Sequence, residues 1–364
     1  MFKFLHAADL HLDSPFSALP PERAAERRRE SRALPGRLAD YVNENGIPLV
    51  LLSGDLLDST DCYRETAEAL WDALGRMNAR VFIAPGNHDW YGPASPYAAL
   101  DWPENVHIFR SGTPEAAEIP ELNAVVHGMA FTVPEQRESL LSGFAAPKDG
   151  RVHLMVLHGE VEPSERRYDP VETADIAASG LAYLALGHIH RRGELRCGDT
   201  LCAWPGCPEG RGFDELGEKG FYEGTVDDGG SVSLRFVPFA RHRYEVLEAD
   251  VTGQDPLTAV ETVLPPDTAG DLYRICLTGE TGEEGPDLSA MTEALKGRFY
   301  ALELRDRTRA AEDLWARAGE DSLRGLFLRD LRRRLDTAGS DGERETIQRA
   351  ARYGLAALDH RDLG

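Results

Sequence analysis

Short apolar runs alternate with longer mixed stretches through the first 130 residues. Residues 2–8 form a brief apolar run, and residues 21–45, rich in Arg, Glu, Ala and Leu, predict a helix. Ile47-Pro48-Leu49-Val50-Leu51-Leu52-Ser53 predicts a buried strand by its length and branching. Residues 63–78 predict a second helix and residues 80–84 another strand. Strands alternating with helices predict an α/β domain. After residue 120 the predicted strands crowd together, at 123–129, 151–157, 181–186, 194–203, 219–226 and 231–238. Asp228-Gly229-Gly230 marks an antiparallel hairpin among them. The expectation is an α/β core that becomes β-rich, with its sheets inside and its helices outside.

A boundary near residue 240 precedes a β–α–β–α–β pattern: strand 243–250, helix 256–263, strand 271–278, helix 287–296 and strand 298–305, with a polar loop at 279–285. Residues 309–359 predict two or three helices and no strand. There Leu323, Leu326, Phe327, Leu331 and Leu335 recur at three- and four-residue steps, an amphipathic stripe. That stripe reads equally as helix core or as a partner face.

Length and charge narrow the class. A chain of 364 residues suggests two domains, or one large domain with an appendage. It has no apolar run of about 18 residues, the least that spans a bilayer. The first ten residues do not form a signal peptide, and five cysteines point to a reducing compartment, so a soluble cytoplasmic protein is expected. The net charge of −22 argues against a phosphate-rich partner. Its distribution qualifies this. Residues 301–364 hold 13 basic and 13 acidic residues, so the first 300 carry the whole excess, part of which suits metal ligands.

The chemistry lies where predicted strands end. Asp9-Leu10-His11, Gly54-Asp55, Gly86-Asn87-His88-Asp89, His158-Gly159-Glu160 and Gly187-His188-Ile189-His190 each follow an apolar run. Strand ends are where α/β folds place their sites. Singly, each segment reads as a structural histidine, a helix cap or a turn glycine. Together, Asp9, Asp55, Asn87, His11, His158, His188 and His190 have no use in core packing, and burying them without a cation is costly. All are nitrogen or oxygen donors, which suits Mn²⁺, Fe²⁺ or catalytic Zn²⁺ over structural zinc. Seven donors exceed one tetrahedral ion and suffice for two ions about 3.5–4 Å apart that share a carboxylate.

This ordered motif set resembles the calcineurin-like metallophosphoesterase superfamily over residues 1–240. The resemblance implies a four-layer αββα sandwich, followed by a small α/β cap (241–306) and a helical C-terminal segment (307–364). It implies that Asp9, His11 and His190 hold one metal, that Asn87, His158 and His188 hold the other, and that Asp55 bridges them. His88 corresponds to the general acid, oriented by Asp89. Hydroxide between the metals would attack phosphorus while His88 protonates the leaving oxygen.

Flanking residues narrow the substrate. Phe4 to Pro15, and the block Trp204-Pro205-Gly206-Cys207-Pro208-Glu209-Gly210-Arg211-Gly212-Phe213 with Glu215 to Phe221, resemble the SbcD-like DNA repair exonucleases and their YhaO branch. That implies a Mn²⁺-dependent DNA exo/endonuclease of double-strand break processing, with Fe²⁺ and Zn²⁺ as alternative metals. It implies a coiled-coil ABC ATPase partner of the SbcC kind, docked through the C-terminal helices; the choice between monomer and homodimer stays open. Where eukaryotic and archaeal relatives carry a His, this chain has Asp58, as in the bacterial pattern. Asp58, Arg191 and Arg211 are candidate substrate contacts. Arg23, Arg27, Arg28, Arg29 and Arg32 read either as a basic surface or as a solvated helix face paired with Glu. Phe16 and Trp90-Tyr91 read either as base-stacking residues or as loop packing. Cys197, Cys202 and Cys207 lack zinc spacing and read as structural. The acidity favours a rival, a phosphodiesterase of cyclic nucleotides or nucleotide conjugates. A regulatory module that keeps its metals and does little chemistry is a third reading.

Overall fold

The structure is a computed structural model that describes residues 1–282, 284–310 and 314–358. The chain runs β1 (Phe2–Ala7), α1 (Pro21–Glu44), β2 (Leu49–Leu52), α2 (Arg64–Gly75), β3 (Arg80–Ile83), α3 (Pro96–Ala99), β4 (Val106–Ile108), β5 (Glu115–Ile119), β6 (Ala124–Gly128) and β7 (Val152–His158). It continues through β8 (Glu160–Val161), β9 (Pro170–Val171), α4 (Thr173–Ala178), β10 (Tyr183–Gly187), β11 (Gly193–Cys197), β12 (Thr200–Trp204), β13 (Gly220–Val226) and β14 (Val232–Pro238). Two six-stranded sheets result, in the orders β14-β13-β1-β2-β3-β4 and β11-β12-β10-β7-β6-β5. Strands β1 to β4 pair in parallel, as do β6, β7, β10 and β12, and antiparallel strands close the flanks.

Alternation along each strand builds four layers. Leu49 and Leu51 of β2, with Phe4 and Phe82, meet Leu154, Val156, Tyr183 and Ala185 of the second sheet in one inner core. Val50 and Leu52 face the other way, onto Leu34, Leu38 and Val42 of α1 and Leu70 and Leu74 of α2. Met155, Leu157, Leu184 and Leu186 face outward from the second sheet onto Leu141 and Ile176. A strand buried on both faces needs an unbroken apolar run, which is why β2 reads Leu-Val-Leu-Leu. This is the αββα sandwich expected.

Some expectations shift. The strand drawn over 194–203 is two strands, β11 and β12, turned at Gly198, which has φ +60°. Strands β4 and β5 are too short and polar to stand out in the sequence.

Arg27 is neither solvated nor a free basic group. It is wholly buried, with ion pairs to Glu30 and Glu209 and a hydrogen bond to the Gly210 carbonyl. Phe16 is buried beneath it, with the guanidinium 5.3 Å from the ring centroid, and so packs rather than awaits a base. Cys197, Cys202 and Cys207 are free, buried thiols whose pKa burial pushes up.

The rest of the chain carries β15 (Tyr244–Asp250), α5 (Pro256–Val263), β16 (Leu272–Thr278), β17 (Glu280–Thr281), α6 (Leu288–Ala294), β18 (Ala301–Asp306), β19 (Arg309–Ala310), α7 (Leu323–Thr337) and α8 (Asp341–Leu358). β17 lies in the expected loop and pairs in parallel with β19, a strand where none was expected. Two compact units divide the chain. One is Met1–Leu247, Pro265–Ile275 and Ala294–Glu303, and the other is Glu248–Leu264, Cys276–Glu293 and Leu304 onward. The boundaries at 240 and 306 stand as a proposal. Within the second unit α7 packs on α8 through Leu328, Leu331, Ala351 and Leu355. The apolar stripe of α7 splits, with Phe327 and Leu331 turned to this core and Leu323 and Leu326 exposed. Among the described residues no helix is long and apolar enough to cross a membrane.

Candidate metal centre

All seven donor residues converge at the ends of strands drawn from both sheets. Asp9 and His11 follow β1, Asp55 follows β2 and Asn87 follows β3; His158 ends β7, and His188 and His190 follow β10. The chain turns sharply to bring them in. Asp9, His11, Asp55 and His188 all have positive φ, 41° to 83°, a conformation that costs non-glycine residues energy and clusters at functional sites. Gly54 and Gly86 allow the loops to close. A Cβ on Gly54 would lie 2.6 Å from His158 Nδ1, and one on Gly86 2.3 Å from Asp55 Oδ1.

Each carboxylate has one oxygen pinned and one turned inward. The His188 N–H donates to Asp9 Oδ1 at 3.0 Å, while Asp9 Oδ2 is buried with no hydrogen-bond partner among the described residues. The His88 N–H donates to Asp55 Oδ1 at 2.9 Å. Asp55 Oδ2 lies 3.3 Å from His158 Nε2 and 3.7 Å from His11 Nε2, so it faces both groups of histidines.

The imidazoles are oriented through their outer nitrogens. His11 Nδ1 is 3.0 Å from Asp58 Oδ1, His190 Nδ1 is 2.8 Å from Glu215 Oε1, and His158 Nδ1 is 2.8 Å from the Ser53 carbonyl. Arg211 Nη2 is also 3.0 Å from His190 Nδ1, but a guanidinium cannot accept, so a proton on Nδ1 is donated to Glu215. With those protons donated outward, the Nε2 lone pairs of His11, His158 and His190 face the centre. His11 Nε2 and His190 Nε2 are 3.2 Å apart, and His158 Nε2 and His188 Nδ1 lie 2.9 and 3.2 Å from Asn87 Oδ1. Acceptors crowded on acceptors, with an orphaned carboxylate oxygen beside them, fit divalent cations. The ligand atoms of Asp9, His11 and His190, and those of Asp55, His158 and His188, lie within 4.8 Å of one another in each trio.

The charges respond to this crowding. Burial would raise the Asp55 carboxyl, but His158, His11 and His88 outweigh it and hold Asp55 below the usual carboxylate range. Burial raises Asp9. Burial would also raise Glu215, yet its hydrogen bonds from His190 and Arg211 keep it low.

The remaining candidates divide. His88 is exposed at the rim, and its Nδ1 lies 3.0 Å from the Asp58 carbonyl. Asp89 does not orient it, contrary to expectation. Its buried carboxylate accepts from the N–H groups of Gly86, Asp55, Leu56 and Leu57 and from the Tyr97 hydroxyl, tying the two Gly loops together. Asp58 and Arg211, expected as substrate contacts, each make contacts within the chain. Asp58 orients His11, and Arg211 pairs with Glu215 at 2.7 Å and lies 3.5 Å from Asp58. Arg191 is exposed. Glu215, Ser53 and Tyr97 were missed. Only Glu215 carried a signal, its place four residues after Arg211 in a glycine-rich block.

The family model for calcineurin-like phosphoesterases matches residues 2–192. Among curated proteins the chain is similar to the uncharacterized metallophosphoesterase YhaO of Bacillus subtilis, 32% identical over 71% of this chain and 65% of that one. It is similar to one of the subunits of the nuclease SbcCD from the same organism, 23% identical over 59% and 63%. It is also similar to the DNA double-strand break repair protein Mre11 of Saccharolobus solfataricus, 27% identical over 61% and 60%. In each case the match spans less than two thirds of the relative's length.

Proposed function

The chain belongs to the calcineurin-like phosphoesterase family, and from that premise we propose that it is a two-cation phosphodiesterase that cleaves DNA in double-strand break processing. Family membership carries phosphoester hydrolysis with divalent metals. The observation that carries the metal reading is the convergence of bare lone pairs from both sheets on the Asp55 oxygen. Asp9, His11, His190 and Asp55 would hold one ion, and Asn87, His158, His188 and Asp55 the other, Mn²⁺ being the metal we favour. When bound, such a pair supplies Lewis-acid charge and lowers the pKa of water.

The chain's own groups do the rest. His88 sits outside both ligand groups, exposed, with Nδ1 held by the Asp58 carbonyl. In the imidazolium form its Nε2–H is therefore the proton free to pass to a departing oxygen, which leaves the neutral ring with its proton on Nδ1. Asp89 keeps the loops of Asp55 and His88 in register from below. DNA as substrate is supported by the relatives named as part of a nuclease and as a break-repair protein. An ATPase partner of the SbcC kind, a homodimer and a cytoplasmic location belong to the same proposal. The charge of −22 favours the small-molecule rival.

A cleavage assay with Mn²⁺ separates the two. Linear duplex DNA, single-stranded DNA and a cyclic dinucleotide are offered to the protein and to Asp55→Ala. DNA cleavage absent from the variant is expected. Hydrolysis of the cyclic dinucleotide alone would overturn the nuclease reading.

A further inference from the structure

Behind His158 a chain of polar groups crosses the apolar space between the two sheets. The Ser53 carbonyl, which faces His158 Nδ1, belongs to a residue whose Oγ is 3.1 Å from the Ala185 carbonyl and 3.0 Å from His6 Nε2. His6 Nδ1 is 2.7 Å from the Tyr183 hydroxyl. His6 and Ser53 belong to the first sheet side, Tyr183 and His158 to the second, and all four are 0% exposed. Their neighbours Phe4, Leu51, Val156 and Ala185 are apolar.

The protons have one consistent arrangement. The Ala185 carbonyl only accepts, so the Ser53 hydroxyl donates to it. Ser53 Oγ then accepts from His6 Nε2–H, which leaves His6 Nδ1 bare to accept from the Tyr183 hydroxyl. The Ser53 carbonyl also only accepts, so His158 carries its proton on Nδ1 and presents a lone pair at Nε2. The first sheet supplies Asp9, His11, Asp55 and Asn87, and the second His158, His188 and His190. Apolar contact between sheets is non-directional, whereas this chain fixes one height and one angle.

We propose that His6, acting with Tyr183 and Ser53, is a positioning residue that fixes the placement of the Ser53 carbonyl, and through it of His158, in the cation pocket that His158 forms with Asn87 and His188. The proposal rests on the metal reading above. It gives the buried imidazole of β1 a task that core packing does not require, since a Phe of similar volume would fill the space without a partner.

The test uses the full chain and Mn²⁺ as the probe. Ring N–H resonances of the metal-free protein report the His158 Nδ1–H bond to the Ser53 carbonyl, and equilibrium dialysis reports Mn²⁺ affinity. His6→Phe should speed hydrogen exchange at His158 Nδ1 and weaken one of two Mn²⁺ ions by about 10–100-fold, the range for partners of metal-bound histidines. His6→Gln keeps a donor at the Nε2 position and should restore most of that loss. Tyr183→Phe removes one hydroxyl without changing shape, and should shift both readouts the same way by less. It serves where His6→Phe does not fold. Wild-type exchange and affinity in Tyr183→Phe and His6→Phe would overturn the proposal, as would equal weakening of both ions by Phe and Gln alike. A wild type that takes up no Mn²⁺ would refute the metal reading, while the metal-free Nδ1–H bond would still decide the role of His6.

Discussion

The two halves of the centre are supported in different ways. Around Asp9, His11 and His190 the support is charged: Asp58 and Glu215 accept from the imidazole Nδ1–H groups, and Arg211 lies between those carboxylates. Around Asn87, His158 and His188 it is neutral, a backbone carbonyl backed by Ser53, His6 and Tyr183. Pairing and burial together explain the difference, since Glu215 is buried but lies 2.7 Å from Arg211. The side chains of Asp58 and Arg211 are 27% and 19% exposed, so water and each other share their charge. His6, Ser53 and Tyr183 are 0% exposed, where an unpaired carboxylate would be costly to desolvate. A fold can therefore orient such histidines with charge where a counter-charge or water is at hand, and with dipoles where neither is.

The largest effect should come from removing what the halves share. Asp55→Ala should erase the distinction, with Mn²⁺ uptake falling below one ion per chain by elemental analysis and diester hydrolysis falling to background. Retention of two ions would break the comparison, because Asp55 would then belong to neither half. His88→Ala should leave both halves loaded. Turnover of a diester with a poor leaving group should fall by about 10²–10⁴-fold. A p-nitrophenyl diester, whose leaving group needs no proton, should lose far less. Loss of metal in that variant would place His88 among the ligands.

Glu215→Gln sharpens the contrast. It should weaken one ion by about 10–100-fold and leave the other unchanged in a two-site titration. The smallest effect is on acid stability. Burial lowers the His6 pKa to about 3, against a hydrogen bond with the Leu186 backbone that raises it. An unfolded histidine titrates near 6.5. The unfolded chain alone therefore takes a proton between those values. The stability held above pH 6.5 is lost as pH falls toward 3. Urea unfolding should show the wild type losing about 2 kcal/mol more than His6→Gln between pH 6.5 and 5. Equal losses would mean that His6 is not held neutral.

The layers and the seven candidate donors were legible because unbroken apolar runs mark the buried strands and polar motifs stand at their ends. Leu49 to Leu52 and Leu154 to Leu157 read as strands covered on both faces, and polar groups at their ends could only be a site. The supports were not legible. Asp89 and His88 are adjacent in sequence, which suggested a pair, yet the loop turns the carboxylate inward to the backbone of residues 55–57. Asp58 and Arg211 looked like substrate contacts because Asp58 meets His11, 47 residues away, and Arg211 only once the loops close. His6 sits mid-strand in an apolar run, and nothing local says that Ser53 and Tyr183, 47 and 177 residues away, will meet it. The stripe on α7 was legible as amphipathic, but α8 covers only part of it.

The central claim is that these seven groups form a two-cation centre joined by Asp55. Its most direct test is the Mn²⁺ stoichiometry of the full chain by isothermal titration with elemental analysis, beside Asp55→Ala. The account predicts two ions per wild-type chain and less than one in the variant. One ion or none in the wild type, or two in Asp55→Ala, would contradict it.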